Sequence, residues 1–202
     1  MMQNNYSNSP LNDLFALANL DPILNGTNQE VAFFFSKYSD ASDSYGKRTV
    51  IEIHKKDLTV DVINNNINEL KSDEELSILS LIKVGHFTYH IPMIDFLAKK
   101  RTESTVKAIN ETSKFWNITF NIYNSGRSIH AYGTKLLSQN QWINFMGYLI
   151  LLNKKSGEKV TDVRWIGHRL MSGYSSLRIT NNTNKYKAVP TYIGSTTGDI
   201  LY

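Results

Sequence analysis

ITFNIYNSGRSIHAY, residues 118–132, holds two β-rich segments around a Ser-Gly pair. Ile118 to Tyr123 and Ile129 to Tyr132 carry β-branched and aromatic residues, and each predicts a strand. Ser125 and Gly126 between them predict a hairpin or another tight connection. A glycine there lets backbone approach a ligand closely, and Arg127 and His130 can face anionic oxygens. Ser128 and His130 are two apart, so on an extended strand they share a face. The same six residues also read as an ordinary turn with a solvated arginine and a hydrogen-bonded histidine.

Upstream, FTYHIPMIDF (residues 87–96) predicts one strand with an edge or bend at Pro92. It carries Asp95 near its end, and Glu103 to Lys114 predicts a helix after it. On spacing alone Asp95 reads as a helix N-cap. An acid at the end of an apolar strand is also rigidly held, as a metal ligand needs to be. Further upstream, Val31–Phe35 and Thr49–His54 predict strands, with a polar loop over Ser36–Lys47. Val60, Ile63, Ile67 and Leu70 recur at helical spacing. Ser72 and Glu75 predict a capping box for a second helix through Leu76, Leu79 and Ile82. The first 28 residues read as a polar tail with a docking helix at Leu11–Leu20, and residues 29–202 as one core.

Downstream, Ser138 and Gln141 predict a capping box on an apolar helix that runs through Leu152. Val160–Val163, Leu177–Thr180 and Val189–Ile193 predict short strands. Strands and helices are mixed without regular βαβα alternation. The expected class is therefore α+β, with helices packed on a mainly antiparallel sheet. Between the last strands, Asp162 is followed by Arg164, Trp165, His168, Arg169 and Arg178. Such a stretch can hold a metal and several phosphates. It reads equally as an Asp–Arg network on a surface loop.

Composition narrows the classes. The chain has 202 residues, 41% hydrophobic and 20% charged, which suits a folded domain rather than a disordered one. It has no cysteine, which excludes disulfides, thiolate zinc sites, iron–sulfur clusters and cysteine nucleophiles. No apolar run approaches the roughly 20 residues of a membrane-spanning helix. The N-terminus lacks the pattern of a signal peptide, and the expected location is the cytoplasm. The net charge is +4, with small clusters at Lys99-Lys100-Arg101 and between Arg164 and Arg178. That fits either a solvated surface or a partner that carries phosphates.

The order of these pieces resembles the archaeo-eukaryotic primase superfamily, the catalytic core of primases and primase–polymerases, in a small bacterial-type form. The superfamily's first motif is a strand ending in acid-X-acid, placed by the resemblance at Asp95. Its second is of the type Ser-Gly-Arg-Gly-X-His, matched by Ser125, Gly126, Arg127 and His130, with Ser128 in place of the second glycine. Its third is a single aspartate, matched by Asp162, and a later Leu-Arg matches Leu177-Arg178. The resemblance implies an RRM-like core and nucleotidyl transfer, with Asp95, Asp162 and His130 as catalytic residues. Asp95 and Asp162 would hold two divalent ions, Mg²⁺ or Mn²⁺. Ser125, Gly126, Arg127, Ser128, His130 and Arg178 would hold an NTP or dNTP. Arg164, Trp165, His168 and Arg169 would meet nucleic acid, with Trp165 a better stacking candidate than Trp116 or Trp142.

One departure is serious. Where the pattern has its second acid, this chain has Leu97, which cannot ligate a metal. Glu52 or His54, two apart on an earlier strand and so on one face, could complete the site; the pair also reads as an ordinary exposed strand face. The departure opens an alternative: a degenerate primase-like subunit that binds nucleotide or nucleic acid within a larger complex. No Walker-type phosphate loop occurs, and a separate protein partner is expected.

Overall fold

A computed structural model of the chain describes residues 8–39, 48–98, 102–155 and 157–196. The basic cluster at Lys99-Lys100-Arg101 and most of the loop expected after Ser39 lie outside the described residues. The architecture is α+β, with two antiparallel sheets and six α-helices among the described residues.

The first sheet is built around one long strand. β1 (Val31–Ser39) lies between β2 (Thr49–His54) and β3 (Glu74–Val84). The other edge of β3 is shared. β4 (Phe87–His90) pairs with its C-terminal half, Leu81 to Val84. β9 (Ser176–Arg178) pairs with Ser77 to Leu79. β8 (Leu137–Ser138) extends the sheet beyond β4. The second sheet has the order β10 (Thr191–Ser195), β6 (Phe120–Asn124), β7 (Ile129–Gly133), β5 (Met93–Phe96).

β3 corrects the helix expected after Ser72. Leu76, Ile78 and Ile82 point into one hydrophobic cluster, while Leu79 and Leu81 face another on the opposite side. A strand buried on both faces shows no polar alternation, so its apolar residues imitate helical spacing. Glu75 caps nothing. It is fully buried and accepts hydrogen bonds from the Asn182 and Thr183 amides at 3.0 and 2.9 Å and from the Thr183 hydroxyl at 2.6 Å.

The segment 87–96 is likewise two strands rather than one. Pro92 has no N–H for a ladder, and the chain passes there from the first sheet into the second. The expected loop is shorter than predicted at its start, because β1 continues through Ser39. The expected strand at Val160–Val163 shrinks to a single bridge between Thr161 and Phe96.

The helices follow their local signals. α1 (Pro10–Leu20) is capped by the Ser9 side chain and buries Leu11, Leu14 and Ala18 in the same cluster as β1 and β3. α2 (Pro22–Asn25) and α3 (Val60–Asn68) come next, the latter capped by Thr59. α4 (Glu103–Trp116) is capped by Thr102. α5 (Gln139–Leu151) carries the expected Ser138–Gln141 capping box. It buries Trp142, Phe145, Met146 and Leu149 against the second sheet. α6 (Val163–Ser172) is a helix where a surface loop was an alternative, with Asp162 as its N-cap.

Candidate active site

Asp95 lies in β5, directly opposite His130 of β7, whose partner on the other side is Tyr123 of β6. It is therefore a strand residue, and the N-cap of the next helix is Thr102. The Ser128 hydroxyl donates to Asp95 Oδ1 at 2.9 Å, and His130 Nε2 lies 3.8 Å from the same oxygen. Ser128 and His130 thus share a face, as their spacing predicts.

The Ser125–Ser128 turn is locked by reciprocal bonds. Ser125 N–H and its hydroxyl both donate to the Ser128 carbonyl, at 2.9 and 2.8 Å, and Ser128 N–H donates back to Ser125 Oγ at 3.0 Å. Gly126 has φ +81°, and a side chain there would meet the Ala188 backbone nitrogen at 2.6 Å. Both facts require glycine.

Asp162 reaches Asp95 from 67 residues away in sequence. The segment Val160–Asp162 lies along the free edge of β5. Leu97 N–H donates to Val160 O at 3.0 Å and Asp162 N–H to Asp95 O at 3.4 Å. Asn153 holds that segment through four bonds: its amide oxygen accepts from the Val160 and Thr161 N–H groups, and its amide nitrogen donates to the Thr161 carbonyl and hydroxyl. Asp162 Oδ1 accepts the N–H groups of Arg164 and Trp165 at 2.9 and 3.0 Å. Both capping bonds go to Oδ1, which leaves Oδ2 for a cation.

Arg178 arrives from the first sheet. Its NH2 donates to the carbonyls of Ser125 and Ala188, and its guanidinium stacks on Tyr186 at 3.7 Å. It is buried, and its NH1 has no hydrogen-bond partner. A cleft of about 460 Å³ joins Asp95, Asp162, Ser125, Arg127, Ser128, His130 and Arg178. Trp165 also lines it, and its indole N–H donates to Ser176 O at 3.3 Å. Trp142 and Trp116 pack in the hydrophobic core instead. Among the residues assigned to nucleic acid, Arg164 is exposed, His168 is half-buried and Arg169 is buried, and none of the three lines the cleft.

The electrostatics derive from burial. Asp95 is pushed up to about 7, first by burial and then by the Asp162 carboxylate. The Ser128 bond and the charges of Arg127 and Arg178 oppose this only in part. His130 is pushed down to about 3, by burial and by the Arg178 charge, so its ring is neutral at physiological pH.

The position of the missing acid lies at the same site. Leu97 is two residues beyond Asp95, lines the cleft and is 45% exposed. Glu52 and His54 do not replace it. Both lie on β2, the outermost strand of the first sheet, and neither lines the cleft. His54 faces Glu30 at 3.2 Å. Among the described residues no three metal-ligating side chains gather anywhere. Two carboxylates at one site suit one hard divalent cation, with water and phosphate oxygens filling its shell. A pair of ions, as the resemblance implies, would have only these two carboxylates to bridge it.

A family model described as archaeo-eukaryotic primase 1D-like matches residues 54–191. The chain belongs to the archaeo-eukaryotic primase-like family. No curated protein and no solved structure matches it. The matched residues include every residue that lines the cleft except Tyr38 and Arg48. Outside the match, Tyr38 and Arg48 also line the cleft. Neither carries a sequence signal, and nor do Asn153 and Tyr186. Their roles come from strand and loop placement, which no local spacing encodes.

Proposed function

We propose that this cleft performs metal-dependent nucleotidyl transfer, as primer synthesis or polymerisation on a nucleic-acid template. The observation that carries this is convergence. Asp95, Ser128, His130, Asp162 and Arg178 come from four separate segments and line one cleft. Asp95 and Asp162 would hold one Mg²⁺ or Mn²⁺, which supplies Lewis-acid neutralisation of phosphate charge in an in-line displacement. Arg127 and Arg178 present guanidinium groups to the triphosphate of an NTP or dNTP. Neutral His130 offers a ring N–H to a phosphate oxygen without adding charge. Ser128 fixes the orientation of Asp95. The bond from the 3′-oxygen to the α-phosphorus forms as the bond to pyrophosphate breaks, and the hydroxyl proton passes to solvent.

A specific feature favours a second reading. With Leu97 at the position of the second acid, the chain would serve as a degenerate primase-like subunit that binds nucleotide or nucleic acid beside a separate protein partner. A transfer assay with labelled NTPs or dNTPs, Mg²⁺ or Mn²⁺ and a primed template separates the two. Asp162→Asn is the control, because it keeps the helix cap and removes the charge. Metal-dependent product that falls at least about a hundredfold in Asp162→Asn supports transfer. Absence of product, with triphosphate binding retained by calorimetry, supports the binding subunit, and Leu97→Asp is then the variant expected to gain metal affinity. Neither product nor binding defeats both readings.

A further inference from the structure

A second cavity, of about 460 Å³, lies between α1 and the two sheets. Leu14 and Leu17 line it from α1, Ile78 from β3 and Ile91 from the passage between the sheets. Among the described residues it shares no lining residue with the cleft. Leu20, Thr134 and Lys135 also line it and are exposed, so the cavity is open to solvent. Small-molecule sites have this size, about 300–1,000 Å³, and this make-up of apolar walls with a few polar groups.

Two of those polar groups lack what burial demands. Tyr132 of β7 is 3% exposed, and its hydroxyl has no hydrogen-bond partner. It stands opposite Asn121 in the β6–β7 pair, and both residues line the cavity from one face of the sheet. A buried hydroxyl left unpaired is costly. Asp13 is half-buried on the face of α1 that carries Leu17. Its carboxylate accepts from the Tyr123 hydroxyl at 2.6 Å and from the Asn121 side chain, both neutral donors. Burial still holds it above the ordinary carboxylate range. No cationic side chain among the described residues lies within ion-pair distance of it. A carboxylate in such a place calls for a cation. The other acid that lines the cavity, Asp21, is spent as a helix cap, accepting the N–H groups of Ile23 and Leu24 at 2.8 and 3.3 Å.

We propose that this cavity binds a small organic amine, a protonated nitrogen carried on an apolar body. The ammonium group supplies the cation that Asp13 lacks and donates an N–H to the Tyr132 oxygen. The body fills the space among Leu14, Leu17, Ile78 and Ile91. An alcohol of the same shape fills that space but leaves the carboxylate without a counter-charge. A carboxylic acid of the same shape brings a second negative charge to it. The proposal stands on this cavity and does not depend on the reading of the cleft.

The test uses the full-length chain with phenylbutylamine, phenylbutanol and phenylbutyrate, which share one apolar body and differ in the head group. Affinities are read by NMR titration, at a temperature where circular dichroism shows each variant folded. The wild type should bind the amine about tenfold or more tightly than the alcohol, and the acid most weakly. Asp13→Asn keeps an oxygen for Tyr123 and removes the charge. The amine should then lose about tenfold while the alcohol keeps its affinity. Tyr132→Phe should weaken amine binding about threefold or more, with a ligand-free Tm that is unchanged or higher, because an unpaired buried hydroxyl has gone. Leu17→Trp puts a larger side chain into the cavity and should abolish binding of amine and alcohol alike. A wild type that binds none of the three probes, or all three equally, overturns the proposal. So does amine binding that is unchanged in both Asp13→Asn and Tyr132→Phe. The cleft also holds carboxylates, so Asp162→Asn is the control. Amine binding that falls in Asp162→Asn and holds in Asp13→Asn places the amine in the cleft and overturns the proposal as well.

Discussion

Asp95 shows how a single residue sets the chemistry of the cleft. Its carboxyl is pushed up to about 7, mainly by burial, so without a cation it is largely protonated below neutrality. A carboxyl raised in the folded state stabilises the fold at low pH. That contribution is complete below about pH 4 and is lost as pH rises through about 7, with a slope of at most about 1.4 kcal/mol per pH unit. Buried His90 and His130 are shifted down and act in the opposite sense, losing stability as pH falls below their ordinary range. The comparison that isolates Asp95 is therefore with Asp95→Asn. Metal-free wild-type protein should lose Tm relative to Asp95→Asn between pH 5 and pH 8. Added Mg²⁺ should restore Tm at pH 8 in the wild type and not in the variant. Thermal melts across that range check both. A constant Tm difference at every pH would mean that Asp95 does not titrate there.

At the scale of elements, capping chemistry was legible and burial was not. Ser138 and Gln141 form the expected box, with Ser138 N–H donating to the Gln141 side chain at 2.9 Å and Gln141 N–H to Ser138 Oγ at 3.4 Å. Ser138→Ala should cost about 1 kcal/mol, and Gln141→Ala less, measured by urea unfolding. No change in Ser138→Ala would show that packing of Trp142 and Phe145 alone holds the start of α5. Ser72 and Glu75 have the same spacing and made no box. Burial separates the two pairs. Glu75 has no exposure at all and is spent on the 180–183 segment, while the residues after it are buried on both faces of β3. One-dimensional spacing does not record whether a sheet is covered on one side or two. The Ser125–Ser128 turn was more readable, because Gly126 and short polar side chains carry the turn geometry within four residues.

For the whole molecule, the decisive feature is the passage between sheets at Ile91 and Pro92. It puts Asp95 and His130 in one sheet while Arg178 remains in the other, so the cleft opens where the two sheets meet. The N-terminal helix belongs to this packing. Leu11 is 1% exposed, and the Tyr123 hydroxyl donates to Asp13 at 2.6 Å. Leu11→Ala should therefore destabilise the entire chain by about 2–5 kcal/mol. Urea unfolding followed by tryptophan fluorescence and by circular dichroism should shift together, since α1 shares a cluster with β1 and β3. Separate transitions would show that α1 is an independent appendage.

The α+β class, most helix starts, the two strands around Ser125-Gly126 and the order of the primase-like motifs all rest on residues close in the chain. Caps, turns and β-branched runs act over a few residues, so their signals survive without a fold. The rejection of Glu52 and His54, the pairing of Asp95 with Asp162 and the arrival of Arg178 and Arg48 in one cleft depended on the tertiary structure. Those contacts join segments tens of residues apart, and they exist only when strand order and register place them together. The pH behaviour of Asp95 has the same origin, because a carboxyl is shifted by what surrounds it in space and not by its neighbours in sequence.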